Sequence, residues 1–233
     1  MKKTKILFIT TSYGSFSDSQ TIRYIQYLAK LDKKNISIDF IVPNCDDQNF
    51  EMFERFTFEY NIYKTDTFLF QKINKAFSNN SLIGKIVKNL AYYFFCPDTF
   101  SGFEKAAVKK FKEIYKDGKP DLLISSSGSC SSHMACMKIK KNKNIKWIAD
   151  FGDPWSITDY KHRLWFYLFS KYYEKKVFKA SSLVLVTTNE TLEYYKSVYP
   201  KVNMKVLFYR YISEYFKIKN KINTNVIEIS HIN

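Results

Sequence analysis

The sequence predicts an α/β fold with a doubly wound, mainly parallel sheet. Short apolar runs of strand length alternate along the 233 residues with longer segments in which apolar residues recur at helical spacing. Hydrophobic residues make up 45% and aromatic residues 18% of the chain, which is enough to close a core. Six Gly and five Pro exclude collagen-like and Gly-rich low-complexity chains. In this fold class ligands bind at the carboxyl ends of the strands, so the loops that follow strands are the places to search.

The first strand–helix unit lies at the N-terminus. A four-residue apolar run predicts a buried strand over residues 5–11, and this run is too short for the apolar region of a signal peptide. A helix is predicted from Gln20, because Ile22, Ile25 and Leu28 share one helical face.

The next elements are two strands and two helices. Residues 36–42 form a strand that a Pro-Asn pair ends, and residues 56–63 are a weaker strand candidate. Helical spacing then begins at Leu82 and again at Phe103, and an Asp-Gly pair ends the second of these helices at Gly118.

The second half of the chain continues the same alternation. Its predicted elements are strands 121–125, 146–151, 183–187 and 204–208 and helices 131–141 and 189–198. Asn189 is the predicted N-cap of the last helix, and Glu190 and Glu193 place negative charge in its first turn. A capping box is absent, because Leu192 then occupies position N3.

Residues 1–216 are predicted to form one Rossmann-like domain. Residues 217–225 are polar and basic like a linker, and residues 226–232 have the pattern of a strand that no helix follows. We therefore expect residues 217–233 to be a linker and the first strand of a missing second domain.

The net charge and the cysteines indicate the cellular compartment of the protein and the kinds of partner that it binds. Lys and Arg number 37 against 22 Asp and Glu, a formal charge of +15. The lysines are spread along the whole chain without a groove-binding or stacking motif, so no nucleic acid partner is predicted. The four cysteines form no CxxC pair, which favours reduced, intracellular thiols and predicts no metal site. The longest later apolar run, residues 90–96, is far below the ~20 residues that span a bilayer, so we expect a cytoplasmic protein.

Three loops after predicted strands contain candidate functional residues. Neither a dinucleotide-binding GxGxxG motif nor a P-loop is present. The loop 12–19 contains Gly14, Ser15 and further small hydroxyl residues, which suit an anion or sugar hydroxyls but are equally typical of a plain surface loop. A serine tract over residues 125–132 precedes His133 without a G-x-S-x-G elbow, so a serine hydrolase is not predicted. His133 is either a helix-end or solvent-facing residue or a functional one.

The sharpest local motif is Ala-Asp-Phe-Gly-Asp-Pro-Trp over residues 149–155. Asp150 and Asp153 follow a buried strand, and Trp155 offers an apolar platform, an arrangement that suits acid/base chemistry or hydroxyl binding. The structural alternative is that Asp153 caps a helix whose first residue is Pro154.

Two segments, residues 120–133 and 146–155, resemble the N-terminal half of bacterial family 4 glycosyltransferases. A subgroup of that family has a PD-(strand)-SSPP-SSH segment followed by W-x-x-D-F-R-D-P-W, and the resemblance extends over about residues 4–200. Three departures are visible. Gly152 stands where the second motif has Arg. Residues 209–212 stand where the family usually has Asn-Gly-Phe/Tyr-Asp before its second domain. The donor-binding half of the family, with its Glu-x7-Glu motif, does not follow Ile232.

The resemblance implies the acceptor-side half of a GT-B enzyme of surface-polysaccharide or glycolipid assembly. Asp153 and Asp150 would be the catalytic candidates, and Gly14, Ser15, His133 and Trp155 would shape the acceptor crevice. The substrates implied are a nucleotide-sugar donor and a glycan or lipid-linked acceptor, without a metal or other cofactor. The alternative is a non-catalytic or truncated binding subunit that pairs with a donor-binding chain.

The basic, aromatic-rich composition also suits an anionic membrane surface. Two candidate contact stretches are residues 82–95 and 161–179, in which lysines bracket apolar and aromatic runs. The alternative for both stretches is a buried helix with snorkelling lysines.

Overall fold

The computed structural model describes residues 3–12, 19–31, 34–44, 59–66, 72, 83–87, 98, 100–127, 130–155 and 164–208. The strands are β1 (Thr4–Thr10), β2 (Ile36–Val42), β3 (Glu59–Lys64), β4 (Leu122–Ser127), β5 (Lys146–Phe151), β6 (Leu183–Val186) and β7 (Met204–Val206). The helices are α1 (Ser19–Leu28), α2 (Phe103–Ile114), α3 (Cys130–Lys143), α4 (Leu164–Ala180) and α5 (Asn189–Val198). The boundary predicted after residue 216 and the segment 217–233 lie outside the described residues.

The seven strands form one parallel sheet in the order β3-β2-β1-β4-β5-β6-β7. This sheet confirms the predicted Rossmann-like α/β class. Strand order reverses between β1 and β4, which makes their carboxyl ends the switch point where ligands of this fold class bind. At that level of the sheet Thr10 pairs with Ser126, and Ser126 pairs with Asp150.

The core has two layers because the strand residues alternate between the faces of the sheet. On one face Phe8 and Phe40 pack against Tyr24 of α1, with ring centroids 4.9 to 6.4 Å apart. The other face lies under α2–α5 and contains the fully buried Trp147 and Phe178.

Several element boundaries differ from their predictions, and two of the differences have an identifiable reason. Strand β4 continues to Ser127, because the buried Ser125 and Ser126 hydroxyls find hydrogen-bond partners inside the fold. Strand β7 ends at Val206, two residues early. The N-cap of α5 is Thr188 instead of Asn189, since Thr188 is extended and its hydroxyl accepts a 3.2 Å hydrogen bond from the Thr191 N–H.

Among the described residues no helix is long and apolar enough to cross a membrane. Cys130 and Cys136 are free thiols, and Cys45 and Cys96 lie outside the described residues.

Candidate functional site at the carboxyl edge of the sheet

Helix α1 brings the region after β1 against the ends of β4 and β5. The Gln20 amide donates hydrogen bonds to Ser126 Oγ at 2.6 Å and to Asp150 Oδ2 at 3.2 Å. The start of α1 and the ends of β4 and β5 are therefore in contact at the carboxyl edge of the sheet. Gly14 and Ser15 lie outside the described residues, so their predicted role in the site stays a prediction.

Asp150 is fully buried at the centre of this arrangement. Its Oδ1 lies 2.7 Å from Arg23 Nη2, and both side chains are at most 1% exposed. Its Oδ2 also accepts hydrogen bonds from Ser126 at 3.1 Å and Tyr27 at 3.4 Å. Desolvation raises the pKa of Asp150, and Arg23 and the hydrogen-bond donors oppose that rise. The structure thus gives Asp150 the surroundings of a buried ion pair, and its catalytic role stays a prediction.

Arg23 also connects helix α1 to the ends of strands β5 and β6. Its guanidinium donates to the backbone carbonyl oxygens of Phe151 and Val186, each at 3.4 Å. One buried side chain of α1 therefore contacts the ends of both β5 and β6. Neither Arg23 nor Gln20 was predicted to be functional from the sequence, because both lie outside the apolar face by which the helix is recognised.

Asp153 is exposed, two residues beyond the end of β5. Residues 152–155 form bends and a turn, and residues 156–163, over which a helix capped by Asp153 would continue, lie outside the described residues, so the capping alternative stays open. The Gly152 carbonyl accepts a 3.1 Å hydrogen bond from the Thr187 hydroxyl, which ties this loop to the end of β6. Of the two carboxylates in the motif, Asp153 is the one that a substrate can reach.

Trp155 is the last described residue of this loop. It is 4% exposed, so its side chain lies in the core and not on an open apolar platform, and its role in substrate binding stays a prediction. Its backbone N–H donates to the Tyr195 hydroxyl at 3.0 Å, and that hydroxyl donates to the buried Glu174 carboxylate at 2.9 Å. Tyr199 donates to the other Glu174 oxygen at 3.1 Å. Helices α4 and α5 thereby fix the far end of the loop that carries Asp153.

Replacing Tyr195 with Phe is expected to lower the free energy of unfolding by about 1–3 kcal/mol, because the Trp155 N–H and Glu174 each lose a buried partner. Urea unfolding followed by circular dichroism measures this change. Tyr194→Phe is the matched control, since Tyr194 is 41% exposed and its hydroxyl is not part of this network. Equal stability of the Tyr195→Phe variant and the wild type would contradict the proposed fixation of the loop.

His133 is fully buried in the first turn of α3, with its ring stacked 4.1 Å from that of Phe151. Burial lowers its pKa to about 3, so the imidazole is neutral at pH 7. Its Nδ1 lies 2.7 Å from Ser125 Oγ, which also accepts a 2.8 Å hydrogen bond from the Trp147 indole. We assign the Ser125 proton to the bond with Nδ1, which leaves the hydrogen on Nε2. That Nε2 has no hydrogen-bond partner among the described residues.

The N-terminus of α3 is occupied by a carboxylate of the chain itself. Asp98 accepts hydrogen bonds from the Ser131 N–H at 3.0 Å and the Ser131 hydroxyl at 2.9 Å. Sequence analysis missed this capping contact, because the two residues are 33 positions apart in the chain. The Asp98 carboxylate occupies the place at the helix end where an anion would bind. The neighbouring Ser132 hydroxyl is buried and has no hydrogen-bond partner within the described part of the chain. The two polar groups at the start of α3 that have no partner among the described residues are thus neutral and fully buried, and neutral groups suit a hydroxyl partner better than a phosphate.

The stability of the chain should fall as the pH drops below 6.5, the ordinary pKa of histidine. The folded pKa of His133 is lower than the unfolded one, so the unfolded state binds the proton first and stability is lost progressively toward pH 3. Between pH 7 and pH 5 His133 should account for a loss of about 2 kcal/mol. Urea titrations at both pH values test this, with His133→Gln as the comparison. The same pH dependence in both proteins would contradict the buried, neutral assignment.

No family model and no curated protein sequence matches this chain. Solved structures do match it. They include sucrose-phosphate synthase from Thermosynechococcus elongatus, with 13% identity, a TM-score of 0.54 and coverage of 88% of this chain and 48% of that one. A UDP-N-acetylglucosamine 2-epimerase matches with 12% identity, a TM-score of 0.52 and coverage of 88% and 48%. Arabidopsis thaliana UGT89C1 complexed with UDP matches with 10% identity, a TM-score of 0.50 and coverage of 91% and 50%.

These similarities establish the fold and its extent. The chain has the architecture of one Rossmann-like half of a GT-B protein, as the resemblance in its motifs predicted. It spans about half the length of the solved structures that it matches.

Proposed function

We propose that this chain is the N-terminal, acceptor-side half of a family 4-like glycosyltransferase. It would transfer a sugar from a nucleotide-sugar to a surface-glycan or lipid-linked acceptor, together with a second half that binds the donor. The observation that carries this proposal is the fold itself, which matches half of proteins whose names refer to sugar phosphates, UDP-sugars or UDP. Glycosyltransferase-like folds are consistent with sugar transfer in general.

Asp153 is the proposed general base. In transfer, a base removes the proton of the acceptor hydroxyl as its oxygen bonds to the anomeric carbon, and the bond from that carbon to the donor phosphate breaks, releasing the nucleotide diphosphate. Asp153 is exposed at the carboxyl edge on a loop fixed at both ends, which supports this role. Stabilising the departing diphosphate is assigned to the second half, because Gly152 stands where the family pattern has a cation.

The acceptor hydroxyls would bind beside α3 and the loop after β1. The Nε2–H of His133 and the hydroxyl of Ser132 are buried groups without a hydrogen-bond partner among the described residues, and a sugar hydroxyl is a suitable partner for each. Gly14 and Ser15 are proposed to complete this wall, and Trp155 supports it from the core. Asp150 is proposed to hold α1 against β4 and β5 through Arg23.

The second candidate is a non-catalytic or truncated subunit that binds an acceptor or a donor-binding chain. The replacement of the motif's Arg by Gly152 favours it. The two candidates share the fold and the crevice and differ in whether a carboxylate of this chain takes part in chemistry.

The proposed location is the cytoplasmic face of the inner membrane. Ile83 and Ile86, in a helical segment within the first candidate membrane stretch, are 68% and 51% exposed. Large exposed aliphatic side chains next to lysines suit the interface of an anionic bilayer.

Reconstitution tests the proposed function. The full chain is assayed alone and together with a donor-binding Rossmann-like half supplied as a second polypeptide, using radiolabelled UDP-N-acetylglucosamine and UDP-glucose with a bacterial lipid extract as acceptor. Transfer by the mixture, and none by either part, is expected. Complex formation without transfer would favour the non-catalytic subunit, and the absence of both would overturn the proposal.

A further inference from the structure

A second concave surface lies at the amino edge of the sheet, where strands β6 and β7 begin. Helix α4 ends just before β6 and helix α5 ends just before β7. The α4–α5 groove, lined by residues between 171 and 181 and by residues 198–203, has a volume of about 870 Å³, which is typical of binding sites. Asp153 lies at the other, carboxyl edge of the sheet, so the groove takes no part in the proposed transfer reaction.

One wall of the α4–α5 groove is cationic. Lys171, Lys175 and Lys179 recur every fourth residue of α4, so their side chains form a stripe ~12 Å long. Lys201 adds a further ammonium group from the loop before β7, and none of the described residues that line the groove is acidic. Within the described part of the chain no carboxylate forms an ion pair with these four lysines. The groove is therefore a concentration of positive charge that attracts an anionic partner.

The α4–α5 groove also offers apolar and aromatic surface. Phe178 lies at its floor and is 1% exposed. Tyr172 of α4 and Val198 of α5 line the groove and are 53% and 43% exposed. Large exposed side chains next to one another on two helices are typical of a surface that binds another molecule.

The two kinds of surface together narrow the choice of occupant. A small inorganic anion would contact the lysines but would leave Tyr172 and Val198 in water. A bilayer that presents a lipid-linked acceptor would face the carboxyl edge, where Asp153 lies, and a flat membrane surface does not fill a concave groove. A second copy of this chain, with a formal charge of +15, would repel the lysine stripe.

We infer that the α4–α5 groove is a docking surface for an acidic amphipathic segment of a partner protein. Carboxylates one helical turn (~6 Å) apart in the segment match the spacing of the lysines along α4. The apolar side chains of the segment would cover Tyr172 and Val198, which is how an amphipathic helix binds a groove. The inference goes beyond the proposed transfer reaction and does not depend on it, because a donor-binding half must face Asp153 at the opposite edge of the sheet.

The test is selection of peptides of about 12 residues, ~18 Å long as a helix, from a random phage-displayed library on the full chain. The enriched peptides are expected to combine Asp or Glu three or four positions apart with aliphatic or aromatic residues. Each enriched peptide is then synthesised with a fluorescent label, and its affinity for the chain is measured by fluorescence anisotropy. Replacing its acidic residues with Asn or Gln should abolish saturable binding.

Two variants place the bound peptide in the groove. The triple variant Lys175→Gln/Lys179→Gln/Lys201→Gln should bind the enriched peptides about tenfold to a hundredfold more weakly, since each exposed lysine–carboxylate contact contributes about a factor of two to five. The variant Tyr172→Ser keeps the charge of the groove and should weaken binding about fivefold, because an aromatic contact is lost.

The matched control is Lys105→Gln/Lys112→Gln/Lys116→Gln, which removes the same charge from exposed positions in and just after α2. Helix α2 contacts β2, and β2 lies four strand spacings (~20 Å) from β6, about twice the distance over which salt screens surface charges. This control should bind the peptides almost like the wild type. Thermal unfolding verifies that all three variants are folded, which is expected because the replaced side chains are exposed.

Three outcomes would overturn the inference. Equal losses in the two triple variants would mean that the overall charge of the chain, and not the groove, attracts the peptides. Enriched peptides without acidic residues, or with an affinity that the groove variants leave unchanged, would place the binding surface elsewhere. A selection that enriches no peptide would remove the docking surface altogether. No sugar nucleotide is present in these assays, so their failure leaves the proposed transferase function untouched.

Discussion

Replacing Asp150 with Ala is expected to lower the free energy of unfolding by about 3–5 kcal/mol, the largest effect of any single substitution considered for this chain. The substitution leaves the Arg23 guanidinium, which is 1% exposed, without its counter-ion and removes the acceptor of Gln20, Ser126 and Tyr27. Urea unfolding at pH 7, followed by circular dichroism, measures the loss.

Two variants serve as controls for that experiment. Asp153→Ala removes the exposed carboxylate of the same motif and should change stability by less than about 0.5 kcal/mol. The double variant Arg23→Met/Asp150→Leu removes both buried charges and should be more stable than Asp150→Ala alone. If Asp150→Ala were as stable as Asp153→Ala, the buried pair would not be what holds α1 to the end of β5.

Asp153→Asn should reduce transfer in the reconstituted system by ~10²-fold or more, because Asn keeps the size and polarity of the side chain but cannot accept the acceptor proton. The initial rate of sugar incorporation measures this effect. Stability should be unchanged, since Asp153 is exposed and caps no described helix.

The transfer rate of Asp150→Asn has to be compared at equal folded fraction, because that residue supports the fold. Full activity in Asp153→Asn would remove Asp153 from the catalytic candidates and leave Asp150 as the only carboxylate of the motif in contention. Full activity in both variants would place the base outside this motif.

The elements were predictable where local pattern and tertiary environment agree. Strands β2 and β5 match their predicted bounds, 36–42 and 146–151, because most of their residues are apolar or aromatic and a Pro-Asn pair follows β2. The predicted end of strand β4 was two residues early, because a run of serines is typical of a turn. Only the fold shows that these serines are buried and hydrogen-bonded. The N-cap of α5 was placed one residue late because Thr and Asn are both good caps and adjacent.

The candidate site was predictable only in part. The carboxylates at the end of β5 and the histidine after β4 are visible in the sequence, since their positions follow from the strands. Which carboxylate is buried is decided by Arg23, 127 residues away in the chain (150 − 23), and no local pattern contains that pairing. Arg23 and Gln20 lie outside the apolar face by which the helix is predicted, and only their contacts with Asp150 in the folded chain show their importance.

The acceptor-side assignment is tested most directly by ¹⁵N-detected magnetic resonance of the isolated chain. Octyl β-glucoside below its micellar concentration, a minimal lipid-linked sugar, and UDP-N-acetylglucosamine are titrated separately. The glucoside should shift the His133 Nε2–H and the Trp155 backbone N–H, and the nucleotide-sugar should leave both unchanged. Saturable shifts of these groups by UDP-N-acetylglucosamine, with none from the glucoside, would show that this half binds the donor and would contradict the account.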